Sequence, residues 1–399
     1  MLIFKNSGSA VSIYFFLWCL YNLQGVLYTT GGDISRLLLL IILIWSFIIM
    51  YKVNTGIHKL PAFIKAINVF LIFATLYGSF LIIGGEDLYI TEGHANVKVP
   101  NFGYLKQIYM SFLPIYVFYY YTIKGQLEIR RILHYTIILL VVLIINYFDS
   151  RAELLQQMIH SDGFTMNIGY EFLALFPLLV FWNQRTIVQF ILLLLSMLFI
   201  IVCMKRGAIL IAAFCFIYFL YNTIKNAPPR KRFIVLLFSS IAVFAAVCFI
   251  ANMMSSNDYF AYRIEETLAG DSSNRDILYS TYWNHFLSET NFLRFFFGNG
   301  ANATLKIGMN YAHNDWLELL INNGILGVFI YVFYFISLYK DAIVAKRIDS
   351  GYYAVILLAF IILFCSSMFS MSYASINIAL TIALGFSLGR VQITRLSNQ

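Results

Sequence analysis

The chain has 399 residues, of which 61% are apolar and only 12% charged, and its formal net charge is +8. A soluble domain is about 45–50% apolar and about 25% charged, and apolar surface on the scale seen here would aggregate in water. Water-soluble enzymes, DNA-binding proteins and disordered chains are therefore excluded, which leaves an all-α, polytopic integral membrane protein.

A helical crossing needs about 20 predominantly apolar residues. Twelve such stretches are predicted: 11–28, 37–51, 63–83, 108–122, 132–148, 166–182, 187–204, 208–224, 233–254, 316–339, 353–371 and 374–388. The first has a single upstream base, Lys5, and no small-x-small cleavage site behind it. It is expected to remain as a span and not to be removed as a signal peptide. The seventh and eighth form one apolar run of 38 residues, 187–224, interrupted only at Lys205-Arg206-Gly207. A single helix of that length would reach about 57 Å, nearly twice the ~30 Å hydrocarbon core, so the chain must turn back at those three residues. Between the ninth and tenth stretches lies a long polar segment. It carries an apolar stripe, Ile277, Tyr279, Tyr282, Trp283, Phe286 and Leu287, and then the apolar-rich run 292–297. This pattern predicts amphipathic helices lying on the membrane surface, ended by a turn at Gly298-Asn299-Gly300. The chain thus divides into nine spans (1–254), an outer loop (255–314), and three spans with a cytoplasmic tail (315–399).

Charge fixes the sidedness. With the N-terminus inside, 17 of the 27 bases but only three of the 19 acids fall on the inner side. That asymmetry is what the positive-inside rule requires. It places both termini in the cytoplasm and accounts for the basic balance without a nucleic-acid partner. All five cysteines sit in apolar stretches and no CxxC occurs, so they read as small hydrophobes, with neither a disulfide framework nor a metal site.

Several polar groups stand against this background. Lys205 and Arg206 occupy a three-residue outer turn, the side the rule disfavours. Long bases near helix ends can snorkel to lipid headgroups, but guanidinium also grips phosphate oxygens bidentately, and an anion clamp is the preferred reading of Arg206. Arg275, in Ser272-Ser273-Asn274-Arg275-Asp276, precedes the amphipathic segment. Asp315 and Glu318 have the spacing of a helix N-cap and its reciprocal N3 partner. They would place His313 and Asn314 at the outer start of the tenth span, where imidazole can act as a base toward a substrate hydroxyl. Gly324 and Gly327, in the same span, would allow close helix packing. Glu171, an ionisable residue inside the sixth stretch, is a functional candidate by default. The other outer histidines, His94, His160 and His285, have no metal-site spacing, and no HExxH, P-loop or GxGxxG occurs.

His313-Asn314, nine residues, then Gly324-x-x-Gly327 resembles the hallmark of the O-antigen ligase and polymerase superfamily. Lys205-Arg206-Gly207-Ala208 looks like that family's outer Arg turn. Ser273-Asn274-Arg275 resembles its Ser-Gly-Arg motif, with Asn274 in place of the usual Gly. Phe297-Gly298-Asn299-Gly300 looks like its Gly-x-Gly turn. The similarity runs from Lys205 to about Ile330, and the first five spans match only in being spans. The resemblance implies a GT-C-like, metal-independent, inverting membrane glycosyltransferase without a cofactor. Its donor would be a glycan on undecaprenyl pyrophosphate, transferred to a sugar hydroxyl of a lipid-linked acceptor at the outer face of the bacterial inner membrane. Arg206 and Arg275, with Lys205, Asn314 and Glu171 beside them, would hold the pyrophosphate and substrates, and His313 would serve the acceptor hydroxyl. Membrane lipid and a chain-length regulator are the partners implied. The run 312–318 looks most like polymerases of surface polysaccharides. A ligase acting on lipid A core, and a lipid-sugar flippase, remain as alternatives at this point.

Overall fold

The computed structural model describes residues 8–57, 59–83, 88–92, 95–99, 102–157, 165–229, 232–269, 275–308, 310–370, 372–373 and 377–397. Each of the twelve predicted stretches is helical over most of its length. The first five are α1 (Gly8–Asn22), α2 (Asp33–Gly56), α3 (Ala62–Ile83), α4 (Phe102–Ile123) and α5 (Ile129–Gln157). The sixth is divided into α6 (Gly169–Leu173), α7 (Phe176–Leu179) and a 3-10 turn over Val180–Trp182. Then follow α8 (Thr186–Val202), α9 (Arg206–Asn226) and α10 (Arg232–Ser256). The loop segment folds into α11 (Asp258–Leu268), α12 (Arg275–Leu287), α13 (Phe292–Phe297) and α14 (Ala303–Gly308). The chain ends with α15 (Asp315–Lys346), α16 (Ser350–Phe369) and α17 (Ile378–Ser397). Among the described residues, seven helices are long and apolar enough to cross a membrane.

The outer surface of this bundle is apolar. On α2, Leu37 is 58% exposed and Ile44 50%; on α10, Phe233 is 75% exposed. In water such faces would drive aggregation, whereas in lipid they are at home, so the protein is an integral membrane protein. Inside, α17 lies against α4 through two glycines. A Cβ on Gly385 would stand 2.8 Å from the Ile115 carbonyl oxygen, and one on Gly389 would stand 2.7 Å from Thr122 Cβ. Small residues four apart let two backbones approach this closely, which in a membrane stands in for the missing hydrophobic drive. The Asp341 carboxylate of α15 accepts from the Ala62 and Phe63 N–H groups at 3.1 and 2.8 Å, satisfying orphan donors at the start of α3.

The structure corrects the sequence expectations at several points. The all-α class holds, with one addition between α3 and α4: an antiparallel hairpin pairs β1 (Leu88–Glu92) with β2 (Ala95–Val99), Leu88 opposite Val99. The first stretch stops being helical at Asn22, and Gly25 takes φ 95° in the turn that follows. The sixth stretch is broken because Pro177, without an N–H, cannot continue the ladder from α6. The apolar stripe of α12 does not all face one way. Tyr282 is fully buried in a cluster with Ala303, Ala312 and Ile321, joined by Leu278 and Phe286 one turn to either side. Ile277, Trp283 and Leu287 point outward, with exposures of 60%, 49% and 64%. Four-residue spacing, 278-282-286, selects the inward face.

The largest departure is in α15, which was expected to run unbroken. Gly324 interrupts it with φ 65° and ψ −167°. That conformation diverts the chain and frees the carbonyls of Ile321 and Asn322. The Gly298-Asn299-Gly300 turn supplies the missing donors: Asn299 N–H donates to Ile321 O at 2.9 Å and Gly300 N–H to Asn322 O at 3.1 Å. The Tyr77 hydroxyl of α3 also donates to Asn322 O. Non-helical backbone at membrane depth is tolerated only where protein re-satisfies it in this way. The approach is so close that a Cβ on Gly324 would lie 2.5 Å from the Phe296 carbonyl, and one on Gly298 would lie 2.4 Å from the Asn322 carbonyl. The two glycine motifs are therefore one structural joint. Gly327 follows it within the helix, with the Asn323 side chain against it.

Candidate active site

Two chain reversals converge at one end of the bundle. In the first, α8 ends at Val202 and Met204 takes a left-handed φ of 53°; Lys205 is then extended, and α9 starts at Arg206. The predicted reversal is present but lies two residues earlier, at Cys203–Lys205, with Arg206 and Gly207 already in the first turn of α9; a Cβ on Gly207 would meet the Tyr170 hydroxyl at 2.3 Å. In the second, the segment after α14 brings His313 round with φ 50°, again left-handed. Non-glycine residues in this region are strained and persist only when their surroundings hold them.

The grip on His313 comes from both sides. Asn314 is the N-cap of α15, its Oδ1 accepting from Trp316 N–H at 3.0 Å and Leu317 N–H at 3.2 Å. The expected cap pair, Asp315 with Glu318, is thus corrected. The reason is burial: both carboxylates are fully enclosed and turn inward to collect donors. Asp315 accepts from Ser372 N–H (2.8 Å), Ser372 Oγ (2.6 Å), Tyr373 N–H (3.0 Å) and Tyr331 Oη (2.6 Å). Glu318 accepts from Thr304 Oγ1 (2.6 Å), Ala312 N–H (2.8 Å) and Asn322 Nδ2 (2.9 Å). Glu318 therefore fastens the residue before His313, and Asp315 fastens the chain after α16. The Asn314 amide reaches Met368 O at 3.3 Å, and Trp316 Nε1 reaches Ser367 Oγ at 3.0 Å. Arg275, the first residue of α12, donates to Phe369 O at 3.1 Å. The C-terminal end of α16 is thus the common dock for the histidine segment and for Arg275.

These elements enclose a cavity of about 580 Å³. Four residues singled out from sequence line it together: Lys205, Arg275, His313 and Glu171. Tyr170, Tyr311 and Asn167 line it as well, and no sequence pattern pointed to them. Arg206 is placed otherwise. Its guanidinium lies 3.6 Å from the Glu266 carboxylate of α11, both side chains 17% exposed, and it is not among the residues lining the cavity. Asn314 likewise serves as the cap and does not face in. His285 sits in the last turn of α12. Among the described residues, no group of three or more His, Cys, Asp or Glu is arranged to hold a metal. His94, His160, Ser272, Ser273 and Asn274 lie outside the described residues.

Lys205 and Arg275 bring two positive charges to the cavity, beside the Glu171 carboxyl. Burial, then the Arg275 and Lys205 charges, lower the His313 pKa below the ordinary 6.5, so the imidazole is neutral at neutral pH and can accept a proton. An anion bound to the two cations would offset their field and make the imidazole more basic.

Residues 190–332 match the family described as O-antigen ligase. The match begins in α8 and ends in α15, and it contains Lys205, Arg206, Arg275 and His313. No curated protein matches the chain. That stretch, which carries both strained turns and every charged residue of the cavity except Glu171, is similar to the O-antigen ligase family.

Proposed function

We propose that the protein is a surface-polysaccharide polymerase. It moves a glycan from undecaprenyl pyrophosphate onto a sugar hydroxyl of a lipid-linked repeat unit at the outer face of the bacterial inner membrane, both termini being cytoplasmic. The observation that carries this reading is the convergence of Lys205, Arg275 and His313 on one cavity. In the reaction, the acceptor oxygen attacks the anomeric carbon from the face opposite the phosphate, and the configuration inverts. The sugar–oxygen bond to phosphate breaks, and the electron pair leaves with undecaprenyl pyrophosphate. The acceptor hydroxyl proton passes to the His313 imidazole. Lys205 and Arg275, fixed and half-buried, stabilise charge growing on the leaving group, the role preorganised cations fill best away from bulk water. Arg206, bound to Glu266, holds the turn that presents Lys205. Glu171 lies within the same cavity as a hydrogen-bond acceptor for substrate hydroxyls.

The test is genetic and biochemical. A deletion strain should make lipopolysaccharide whose core bears a single repeat unit. Bare core with accumulating lipid-linked polymer would make the protein a ligase, and absence of repeat units from the outer leaflet would make it a flippase. Lys205→Ala and Arg275→Ala, each present at normal level in the membrane, should fail to restore the ladder. Purified protein in nanodiscs should turn over in EDTA.

A further inference from the structure

The same cavity is also lined by neutral polar side chains. Asn22, Gln107, Ser111, Asn167 and Asn377 line it, and none carries a charge. Trp18 and Asn22 lie four residues apart on α1, and Gln107 and Ser111 four apart on α4, so each pair shares one helix face. Asn377 already gives its side-chain oxygen to Ala379 N–H at 2.7 Å, which leaves its amide donors for another partner. Four primary amides, from α1, α4 and the segments just ahead of α6 and α17, meet at this open cavity. A pyrophosphate calls for cations, which Lys205 and Arg275 supply. Neutral groups that both donate and accept call for a neutral ligand with the same property, as hydroxyl and acetamido groups have. Trp18 adds an aromatic side chain to the same lining. A volume of about 580 Å³ lies within the roughly 300–1,000 Å³ of pockets that enclose whole ligands, which leaves room for a saccharide next to a pyrophosphate.

We infer that Asn22, Gln107, Ser111, Asn167 and Asn377 form a saccharide subsite that reads the hydroxyl and acetamido pattern of an uncharged sugar, a deepening that rests on the transfer reading above. All five fall outside residues 190–332. The matched segment carries Lys205 and Arg275, which act on pyrophosphate, while segments outside it carry the sugar contacts. A site built to hydrogen-bond a hydroxyl rejects analogues that lack it, because its own polar groups are then left unpaired.

The experiment uses full-length protein in nanodiscs and two probes, undecaprenyl pyrophosphate without sugar and the strain's own repeat-unit oligosaccharide freed from its lipid. Loss of one neutral hydrogen bond weakens binding roughly 2- to 10-fold. Asn22→Ala with Gln107→Ala should therefore cut oligosaccharide affinity roughly 4- to 100-fold and leave undecaprenyl pyrophosphate affinity unchanged. The Asn22 carbonyl keeps its bond from Asn146 Nδ2 in the variant, and Gln107→Met, close in shape, serves as the second test of the same contact. Oligosaccharide binding indifferent to all these substitutions would overturn the subsite. Pyrophosphate binding indifferent to Lys205→Ala and Arg275→Ala would overturn the transfer reading instead, and the oligosaccharide arm would still judge the subsite.

Discussion

Glu318 gives the sharpest test of how the histidine is held. Its three neighbours all donate: Thr304 Oγ1 and Asn322 Nδ2 to one oxygen, and Ala312 N–H to the other. A carboxylate can accept at both ends and an amide cannot. Glu318→Gln keeps the shape and can keep the Thr304 and Asn322 bonds, but it sets an NH₂ group against the Ala312 N–H, where 2.8 Å now separates donor from acceptor. An unsatisfied buried donor costs about 1–3 kcal/mol. That cost falls on the residue next to His313, whose left-handed φ of 50° already depends on its surroundings. If it is expressed as loss of the productive imidazole position, kcat falls about 5- to 150-fold while undecaprenyl pyrophosphate binding holds, since Lys205 and Arg275 are anchored elsewhere. The assay is glycan transfer by purified variant in nanodiscs, with bound undecaprenyl pyrophosphate measured in parallel. A well-folded Glu318→Gln protein with wild-type kcat would refute the claim that this carboxylate positions His313.

Two further predictions concern charge. Because burial and two cations lower the His313 pKa below 6.5, its neutral form persists as pH falls through 6.5 and is lost only below that lowered value. Carbethoxylation of His313, which needs neutral imidazole and is read by peptide mass spectrometry, should follow the same course, and Arg275→Gln should move its midpoint upward; a midpoint unmoved or lowered contradicts the proposed field. Arg206 and Glu266, 3.6 Å apart, should act as a unit. Glu266→Gln and Arg206→Ala should each lower transfer, and the double variant should lose no more than the worse single one. Full activity in Glu266→Gln beside an inactive Arg206→Ala would show that Arg206 meets the substrate directly.

Sequence alone determined the broad architecture, because the solvent is the strongest constraint on this chain. With 61% apolar residues and bases on one side of the apolar stretches, a helical membrane protein was the one reading that composition allowed. The reversal next to Lys205 was legible for the same reason, since 38 apolar residues cannot cross once. His313, Arg275, Lys205 and Glu171 could be named from residue type, but nothing local said that they meet. Tertiary structure decided that, by docking two distant turns on the end of α16. It also decided the partners of the buried groups. A carboxylate three residues from another reads as a cap in sequence, yet Asp315 and Glu318 bond to Ser372, Tyr331, Thr304 and Ala312, chosen by packing and not by spacing. Arg206 was drawn to Glu266 of a helix whose position no periodicity encodes. The break at Gly324 was hidden because an apolar run reads as continuous until the Gly298–Gly300 turn arrives with two donors for its freed carbonyls. Sequence reports which solvent a segment prefers; the mutual satisfaction of buried polar groups exists only once the segments have met.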